Sequence, residues 1–313
     1  MRTLLALAGL LAAGAGTAFL QTTSEPSSSA PVLQNTGKPM VLPFSCTDDD
    51  ITAAGMTCTE QEPCPVYIEF TSVEALGNQL LVAGNLHSSS ATLYTVLLSS
   101  PDGGKTWSEA FERVRHAALD QIRFYGFQNG WISGQTLVPI PSDPFFLVTR
   151  DGGKTWRRKP LHDDGRPGTI LQFWFDSAKD GAVLLDRGQS SDGNRYEYHE
   201  SPNGGESWMV RETSDKPIRP KRLPPPPESS VVRVRADERS KSYNVEKQEG
   251  GKWKPLASFA LEAGLCKPPT VELKEPEPPA EPTSAAPAAS GVLVVPSDPE
   301  KRRKPPSLKR APK

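Results

Sequence analysis

Hydrophobic and polar positions in the middle of the chain follow a repeating order of short segments. A segment that alternates apolar and polar residues comes first, at 68–70 and again at 122–124. A segment of small residues follows it, at 80–84 and at 130–134. A longer apolar run, such as 93–98, then leads into a glycine-rich turn. Because alternation with a period of two is typical of β-strands, each unit predicts about four antiparallel strands.

The glycine-rich turn has nearly the same sequence in three places, which we call the repeat turns. They are SPDGGKTW at 100–107, TRDGGKTW at 149–156 and SPNGGESW at 201–208, and a shorter EGGKW at 249–253 is a worn fourth copy. In a tight hairpin an Asp or Asn accepts backbone N–H bonds, glycines supply positive φ, and Ser or Thr bonds back to the acid. The Trp is expected to bury its ring between sheets. The residues expected to build these turns are Ser100, Asp102, Gly104, Thr106, Trp107, Thr149, Asp151, Gly153, Thr155, Trp156, Ser201, Asn203, Gly205, Ser207, Trp208 and Trp253.

The spacing of the turns predicts a repeat architecture. Successive copies start 49, 52 and 46 residues apart, counted from Asp102 through Asp151 and Asn203 to Glu249. A period of 40–50 residues is typical of propeller blades. We therefore predict an all-β fold, a small β-propeller of about four to five blades with four antiparallel strands in each.

The repeat phrase S/T-x-D-x-G-x-T-W resembles the Asp-box, or bacterial neuraminidase repeat. Combined with the upstream Gly-Trp-Ile-Ser-Gly at 130–134, it resembles the photosystem II stability/assembly factor family and its relatives in non-photosynthetic bacteria. The resemblance covers roughly residues 65–260 and implies an extracytoplasmic β-propeller that helps to assemble or hold other proteins. It also implies six or seven blades, whereas this stretch has room for about four. Two arrangements stay open, a small ring of four or five blades and an open stack that pairs with a partner.

The two ends of the chain differ from the repeat region. Residues 1–18 have the layout of a secretory signal peptide, with an uncleaved anchor helix as the alternative. Residues 19–40 are a flexible leader rich in Ser, Thr and Pro, and 41–266 are the predicted propeller domain. Residues 267–313 are a proline-rich tail, predicted to be disordered because it has too little apolar surface to bury. We expect an exported protein, in the periplasm, in the cell envelope or secreted.

Charge is distributed unevenly along the chain. The formal net charge is −1, yet the last 13 residues contain seven Lys or Arg and no acidic residue. The near-neutral balance argues against general nucleic-acid binding, and no nucleic acid is expected as a partner. The basic end is a candidate for contact with an anionic polymer or a membrane surface, and the alternative is a solvated tail without a specific partner.

Four cysteines in an exported chain predict disulfides rather than a metal site. Three pairings are possible, and we favour a local Cys58–Cys64 bond, which leaves Cys46 to pair with Cys266. The cysteine spacings do not match a zinc motif, and the four histidines are scattered along the sequence. The sequence therefore predicts no cofactor and no metal. The acidic run 48–50 favours a solvated loop over a calcium site.

Catalytic motifs are missing from the sequence, which argues against an enzyme. A sialidase needs an arginine triad for the substrate carboxylate and an Arg-Ile-Pro phrase before the first repeat, and neither is found. The chain also lacks a G-x-S-x-G elbow, an H-E-x-x-H motif and a P-loop. Trp131 and Trp174 are each able to stack on a sugar ring, but packing between blades is the favoured interpretation.

The function predicted from these observations is that of an exported, non-catalytic propeller that binds or helps to assemble proteins of the cell envelope. The alternative is a carbohydrate-binding or sialidase-like glycoside-hydrolase propeller. Six cations near the second unit are the candidate partner-binding residues, with ordinary solvated charges as the alternative interpretation. They are Arg113, Arg115, Arg123, Arg157, Arg158 and Lys159.

Overall fold

The computed structural model describes residues 31–137, 140–162, 165–188, 193–219 and 231–268. The predicted signal peptide, most of the predicted leader and the tail from residue 269 onward lie outside these residues. The described part of the chain is nearly all β, with 17 strands and one short helix. No helix in these ranges is both long enough and apolar enough to cross a membrane.

The strands form four sheets. The first sheet contains β1 (Leu33–Gln34), β2 (Cys64–Leu76), β3 (Gln79–His87), β4 (Thr92–Ser100) and β5 (Thr106–Glu109). The second contains β6 (Ala117–Tyr125), β7 (Asn129–Thr136), β8 (Ser142–Thr149) and β9 (Arg157–Pro160). The third contains β10 (Thr169–Phe175), β11 (Gly181–Asp186), β12 (Tyr196–Ser201) and β13 (Met209–Ser214). The fourth contains β14 (Val232–Asp237), β15 (Ser242–Glu249) and β16 (Lys252–Ala260), and β17 (Glu262–Cys266) returns to the first sheet.

Every ladder between neighbouring strands is antiparallel, and the second and third sheets are simple meanders of four strands. This confirms the predicted fold class, since antiparallel four-stranded sheets in succession are the units of a small β-propeller. Two sheets depart from four strands. The fourth has three described strands, and the first has six, in the order β1-β5-β4-β3-β2-β17.

Three buried hydrophobic clusters join the sheets in a row. One cluster joins the fourth sheet to the first, through residues such as Val245 and Phe259 packed with Trp107. A second joins the first sheet to the second, and a third joins the second sheet to the third. Among the described residues no buried cluster joins the third sheet to the fourth. One face of the third sheet therefore has no neighbouring sheet packed on it through such a cluster.

The folded region begins before residue 41, which corrects the predicted domain boundary. Strand β1 pairs with β5, and the Asn35 side chain donates hydrogen bonds to the carbonyls of Gly104 and Leu256, at 2.8 and 2.7 Å. Met40 is buried and exchanges backbone hydrogen bonds with the fourth sheet. The last residues of the predicted flexible leader thus bridge the first and fourth sheets.

Two disulfides hold the ends of this region, and they have the pairing that the sequence favoured. Cys46 is bonded to Cys266 across 220 residues, and Cys58 is bonded to Cys64. Cys64 and Cys266 are register partners on β2 and β17. Closing so long a loop removes conformational entropy from the unfolded chain, so the first bond is expected to stabilise the fold substantially.

The acidic run 48–50 is the first turn of the helix α1 (Asp48–Ala53), not a loop. Thr47 caps the helix, and Asp50 completes a capping box by accepting a bond from the Thr47 backbone N–H at 2.9 Å. Asp50 is buried and also accepts a bond from the Tyr94 hydroxyl at 2.6 Å. Its carboxylate therefore serves to dock the helix on the first sheet.

Candidate functional site

The repeat turns are closed by a fixed set of hydrogen bonds around their acidic residue. In the first turn the Thr106 N–H donates to Asp102 at 2.9 Å and the Thr106 hydroxyl donates to it at 2.7 Å. The Ser100 hydroxyl oxygen accepts the Gly104 N–H at 2.8 Å, and the Trp107 indole donates to the Gly104 carbonyl at 3.1 Å. The bonds from Thr106 are the main reason why the pKa of Asp102 falls to about 2.

The second turn repeats all of these bonds, and the third repeats those around its Asn203 but not the indole bond, because the buried Trp208 Nε1 has no hydrogen-bond partner among the described residues. Burial acts to raise the pKa of Asp151, but the hydrogen bonds from Thr155 and the other turn groups outweigh it and lower the pKa to about 2. In the third turn Asn203 replaces the acid and accepts the Ser207 N–H at 3.0 Å. Its amide also donates to the Ser207 hydroxyl at 2.9 Å. The third turn therefore has the same shape without a titrating group.

Each repeat turn also touches the sheet before it through its second glycine. These glycines have positive φ, and a Cβ on Gly153 would lie 2.8 Å from the Leu81 side chain of the first sheet. A Cβ on Gly205 would lie 3.3 Å from the indole nitrogen of Trp131 in the second sheet. In the fourth turn no described residue lies within 4 Å of the corresponding position on Gly251. Three turns thus connect successive sheets, whereas the fourth makes no such contact with the third sheet.

The six cations predicted to bind a partner do not form one patch. Arg157 and Lys159 on β9 both form ion pairs with Glu206 of the third repeat turn, with 2.8 Å from the Arg157 guanidinium to the carboxylate. These pairs hold the Glu206 carboxylate in its charged form and lower its pKa, with Lys159 as the largest cause. Arg158 lies over the Phe145 ring at 4.2 Å, and Arg123 is half-buried on β6.

The other two cations lie near the N-terminal part of the described chain. Arg113 makes a two-pronged ion pair with Glu109 and donates to the Pro43 carbonyl at 2.8 Å. Arg115 is 3.2 Å from the Asp50 carboxylate. Four of the six predicted cations are therefore in ion pairs within the chain and a fifth, Arg158, lies over an aromatic ring. Partner binding by any of the six stays a prediction from the sequence.

The structure shows a groove that the sequence did not indicate, on the outer face of the third sheet. We call it the outer groove. It encloses about 590 Å³. Trp174 forms its floor, at 4% exposure, and Tyr198 stacks beside it with ring centroids 6.3 Å apart. Met209 is 41% exposed at the rim. The remaining lining residues include four carboxylates and one cation, namely Asp176, Asp180, Glu200, Glu212 and Arg211.

Hydrogen bonds order the polar side of the outer groove. The Tyr198 hydroxyl donates to Glu200 at 3.1 Å, and the Arg211 guanidinium donates to the same carboxylate at 2.9 Å. Burial, and then the bond to Glu200, raise the pKa of Tyr198 to about 12. Among the described residues that line the groove, the one cation is paired with Glu200, and the carboxylates outnumber it.

The inner face of the same sheet contains a buried group of ionisable residues, which we call the inner cluster. The His199 Nε2 lies 2.8 Å from Glu197 Oε2, and the His162 Nε2 lies 3.9 Å from the same oxygen. Arg187 Nη1 lies 2.8 Å from the other oxygen of Glu197. Hydrogen bonding from His199 is the largest cause that lowers the pKa of Glu197, with Arg187 and His162 adding to it. The ring nitrogens of His162 and His199 and the carboxylate oxygen of Glu197 are atoms that bind metal ions in proteins. They lie within 4.8 Å of one another.

The inner cluster was missed in the sequence because its histidines are 37 positions apart. His162 follows β9 in the second sheet, whereas His199 is on β12 in the third. Only the packing of one sheet on the other brings them together. The sequence did contain one indication of the cluster. Glu197 and His199 are two residues apart, which places both side chains on one face of a strand.

The tryptophans mentioned above as sugar-stacking candidates are both buried. Trp131 is fully buried, and its ring stacks on Phe175 at a centroid distance of 3.5 Å. Its indole donates to the Gly204 carbonyl at 2.8 Å, so it joins the second sheet to the third repeat turn. Trp174 is the floor of the outer groove. Neither ring has a free face of the size that a sugar requires.

Comparisons with known proteins give likenesses in structure alone. No protein-family model matches the chain, and no curated protein sequence matches it. Two solved structures of YCF48, the photosystem II assembly factor that the repeat phrase resembles, are similar to it. The first, titled as bound to D1 peptide, has a TM-score of 0.33 and 20% identity over 61% of this chain and 58% of that chain. The second, from Cyanidioschyzon merolae, has a TM-score of 0.30 and 20% identity over 61% of this chain and 56% of that chain.

A polysaccharide lyase, titled an ulvan lyase, is also similar. Its TM-score is 0.34 and its identity is 10%, over 63% of this chain and 51% of that chain. The chain thus matches little more than half the length of each of these proteins. Likeness at this level says nothing about what this chain binds or whether it catalyses a reaction.

Proposed function

We propose that this protein is an exported, non-catalytic β-propeller that binds proteins of the cell envelope, and that a partner docks in the outer groove. The observation that carries the proposal is a sheet face with an aromatic floor and a groove of about 590 Å³, on the side where no buried cluster of described residues adds another sheet. Concave faces with an apolar floor and a polar rim are typical docking sites.

The charges of the outer groove indicate which kind of segment it would take. Four carboxylates line it, and Arg211 already pairs with Glu200. A segment with Lys or Arg side chains would meet complementary charge, while the flexible Met209 side chain is able to adapt to its apolar parts. We therefore expect the ligand to be an extended, basic protein segment.

The arrangement favours binding over catalysis. A sialidase-like reaction needs a reactive tyrosine, but burial and the bond to Glu200 raise the pKa of Tyr198 to about 12, which keeps its hydroxyl protonated. Glu200 itself is committed to Tyr198 and Arg211. A carbohydrate would need an exposed aromatic face, and Trp174 is only 4% exposed. These features support a binding surface and give no support to the carbohydrate alternative.

A binding assay with defined peptides tests the proposal on the full chain. We expect a fluorescently labelled Lys-Pro repeat peptide to bind, and a Ser-Pro peptide of equal length to bind much more weakly. The variant Glu200→Gln/Glu212→Gln should lower the affinity for the Lys-Pro peptide about five-fold or more, because it removes two of the groove charges. The matched control is Glu69→Gln/Asp120→Asn, which removes two exposed strand carboxylates from other sheets and should leave the affinity unchanged.

Two results would overturn this assignment. Equal weakening by the control pair would mean that the peptide senses only the net charge of the protein. Displacement of the peptide by neutral oligosaccharides, with retention of binding in the Glu200→Gln/Glu212→Gln variant, would move the function to the carbohydrate alternative.

A further inference from the structure

The inner cluster is a built set of donor atoms, since each residue is placed by its strand or by a neighbour. Glu197 and His199 are two apart on β12, so their side chains share the inner face of the third sheet. Both are buried, at 2% and 1% exposure. Arg187 holds one oxygen of Glu197 at 2.8 Å and thereby turns the other oxygen toward the two histidines. His162 approaches from the second sheet and keeps 12% of its side chain exposed.

The distances between these atoms fit a small divalent cation. A tetrahedral ion with bonds of about 2.0–2.2 Å separates its ligand atoms by roughly 3.4 Å. The Glu197 Oε2 atom lies 2.8 Å from the His199 Nε2 and 3.9 Å from the His162 Nε2, values on either side of that separation. At 3.9 Å the second contact is too long for a hydrogen bond between those two atoms. Side-chain movements of about 0.5–0.6 Å would bring both separations to the tetrahedral value, and all three ligand atoms already lie within 4.8 Å of one another.

We propose that His162, Glu197 and His199 bind a zinc-class divalent cation, with a solvent molecule as the fourth ligand; the ion takes the place of the proton between His199 Nε2 and Glu197, which is released on binding. Two imidazoles and one carboxylate are a donor set that zinc accepts, and three protein ligands leave one position open. Because Arg187 balances the charge of Glu197, the described protein groups do not neutralise the ion. The open position therefore favours an anionic ligand such as hydroxide, entering on the side where His162 is exposed.

The site would clamp two sheets together. His162 follows the buried Leu161 at the end of the second sheet, and the other two ligands belong to the third. A cation that binds only when these sheets are packed stabilises the folded state by mass action. No thiolate competes for the ion, because all four cysteines are in disulfides.

Metal titration of the full chain, with its disulfides intact and after dialysis against a chelator, tests the proposal. We expect one Zn²⁺ per chain by calorimetry and a rise in the thermal unfolding midpoint that the chelator reverses. Co²⁺ in place of Zn²⁺ should produce the visible absorption bands of a four-coordinate ion with nitrogen and oxygen ligands. Failure of the wild-type chain to bind either ion stoichiometrically would overturn the proposal without any variant.

A variant at the exposed ligand makes the assignment specific to this site. His162→Gln should weaken Zn²⁺ binding at least ten-fold and abolish the Co²⁺ bands. The matched control His87→Gln changes a histidine on the first sheet and should retain both. Circular dichroism without metal checks that each variant is folded. Unchanged Zn²⁺ binding by folded His162→Gln would place the ion elsewhere and overturn the proposal, and an unfolded His162→Gln would leave the Co²⁺ spectrum of the wild-type chain to decide it.

Discussion

The two faces of the third sheet are made by the same strands but have opposite properties. On β12, Glu197 and His199 point to the inner face, where they are buried and paired with each other. Tyr198 and Glu200 point to the outer face, where they line an open groove. The second sheet packs on the inner face, and no buried cluster of described residues packs on the outer one. Alternation along one strand therefore yields a closed polar cluster and an open surface, and the neighbouring sheet determines which is which.

The repeat turns differ in the same way as the two faces, within the described part of the chain. The third turn contacts the second sheet through Gly205, next to the Trp131 indole. The fourth turn has Glu249 where the others have Asp or Asn and is one residue shorter, and no described residue lies within 4 Å of a Cβ position on Gly251. Within the described ranges, the turn contact that joins each sheet to its predecessor is not made where the fourth sheet would meet the third.

The largest effect should come from emptying the inner face. Phe173 is 1% exposed and packs against Phe146 of the second sheet at a centroid distance of 5.0 Å. We expect Phe173→Ala to lower the free energy of unfolding by about 3–5 kcal/mol, because it leaves a cavity between the two sheets. Urea denaturation measures this. Leu171→Ala, at an exposed position on the same strand, is the control and should change stability by less than about 1 kcal/mol. Similar losses for both variants would contradict the difference between the faces.

A smaller effect is expected from the bond between the second sheet and the third turn. Trp131→Phe keeps a ring to stack on Phe175 but removes the N–H that donates to the Gly204 carbonyl. The expected loss is about 1–2 kcal/mol in the free energy of unfolding, since Arg150 still donates to that carbonyl at 2.6 Å. Hydrogen exchange of the third-turn amides should increase in the variant. Unchanged exchange would mean that the turn holds its place without this bond.

Acid should weaken the second turn but not the third. The pKa of Asp151 is about 2 in the folded protein, below its ordinary value of 3.8, so its contribution is present above pH 4 and is lost as the pH falls through 2. Asp151→Asn should remove this part of the pH dependence, measured as urea midpoints between pH 5 and pH 2. Asn203→Asp should add the same dependence to the third turn. Parallel pH curves for all three proteins would contradict the hydrogen-bond origin of the low pKa.

The smallest effect is expected on the outer face at high pH. The pKa of Tyr198 is about 12 in the folded protein, above its ordinary value of 10, chiefly because burial disfavours the phenolate. The folded state therefore loses stability relative to the unfolded chain only as the pH rises from 10 toward 12. Tyr198→Phe should remove one late step from the titration of phenolate absorbance and leave neutral-pH stability nearly unchanged. If the variant instead loses a step near pH 10 from the absorbance titration, Tyr198 is solvated and the groove is more open than its burial indicates.

Much of the fold follows from local sequence, because its signals act over a few residues. The phrase at 149–156 contains the acid, the glycines and the hydroxyl that close the second turn, and all of these groups are neighbours in the chain. The disulfide pairing could also be predicted, since only three pairings of four cysteines exist. The boundary at residue 41 was placed too late, because β1 is two residues long and is held by pairing with β5 rather than by its own pattern.

The outer groove and the inner cluster could not be predicted from the sequence in this way. The carboxylates of the outer groove come from two strands and the turn between β10 and β11, and nothing in their spacing distinguishes them from ordinary surface charges. The six predicted cations fall in two short stretches, 113–123 and 157–159, yet the fold pairs five of them with Glu109, Asp50, Glu206 and the Phe145 ring. Proximity in sequence is a poor guide to proximity in space once strands lead to different sheets.

By itself, the sequence determined the all-β class, the hairpin turns and the repeat length, and it narrowed the cysteine pairing to three possibilities, of which the favoured one is observed. Each of these depends on interactions within a turn, along a strand or among a few possible partners. Only the tertiary structure decided how the sheets are joined, which face of the third sheet is open, and that His162 meets His199. These depend on which sheets pack together, and packing between sheets is a sum of contacts between residues far apart in the chain.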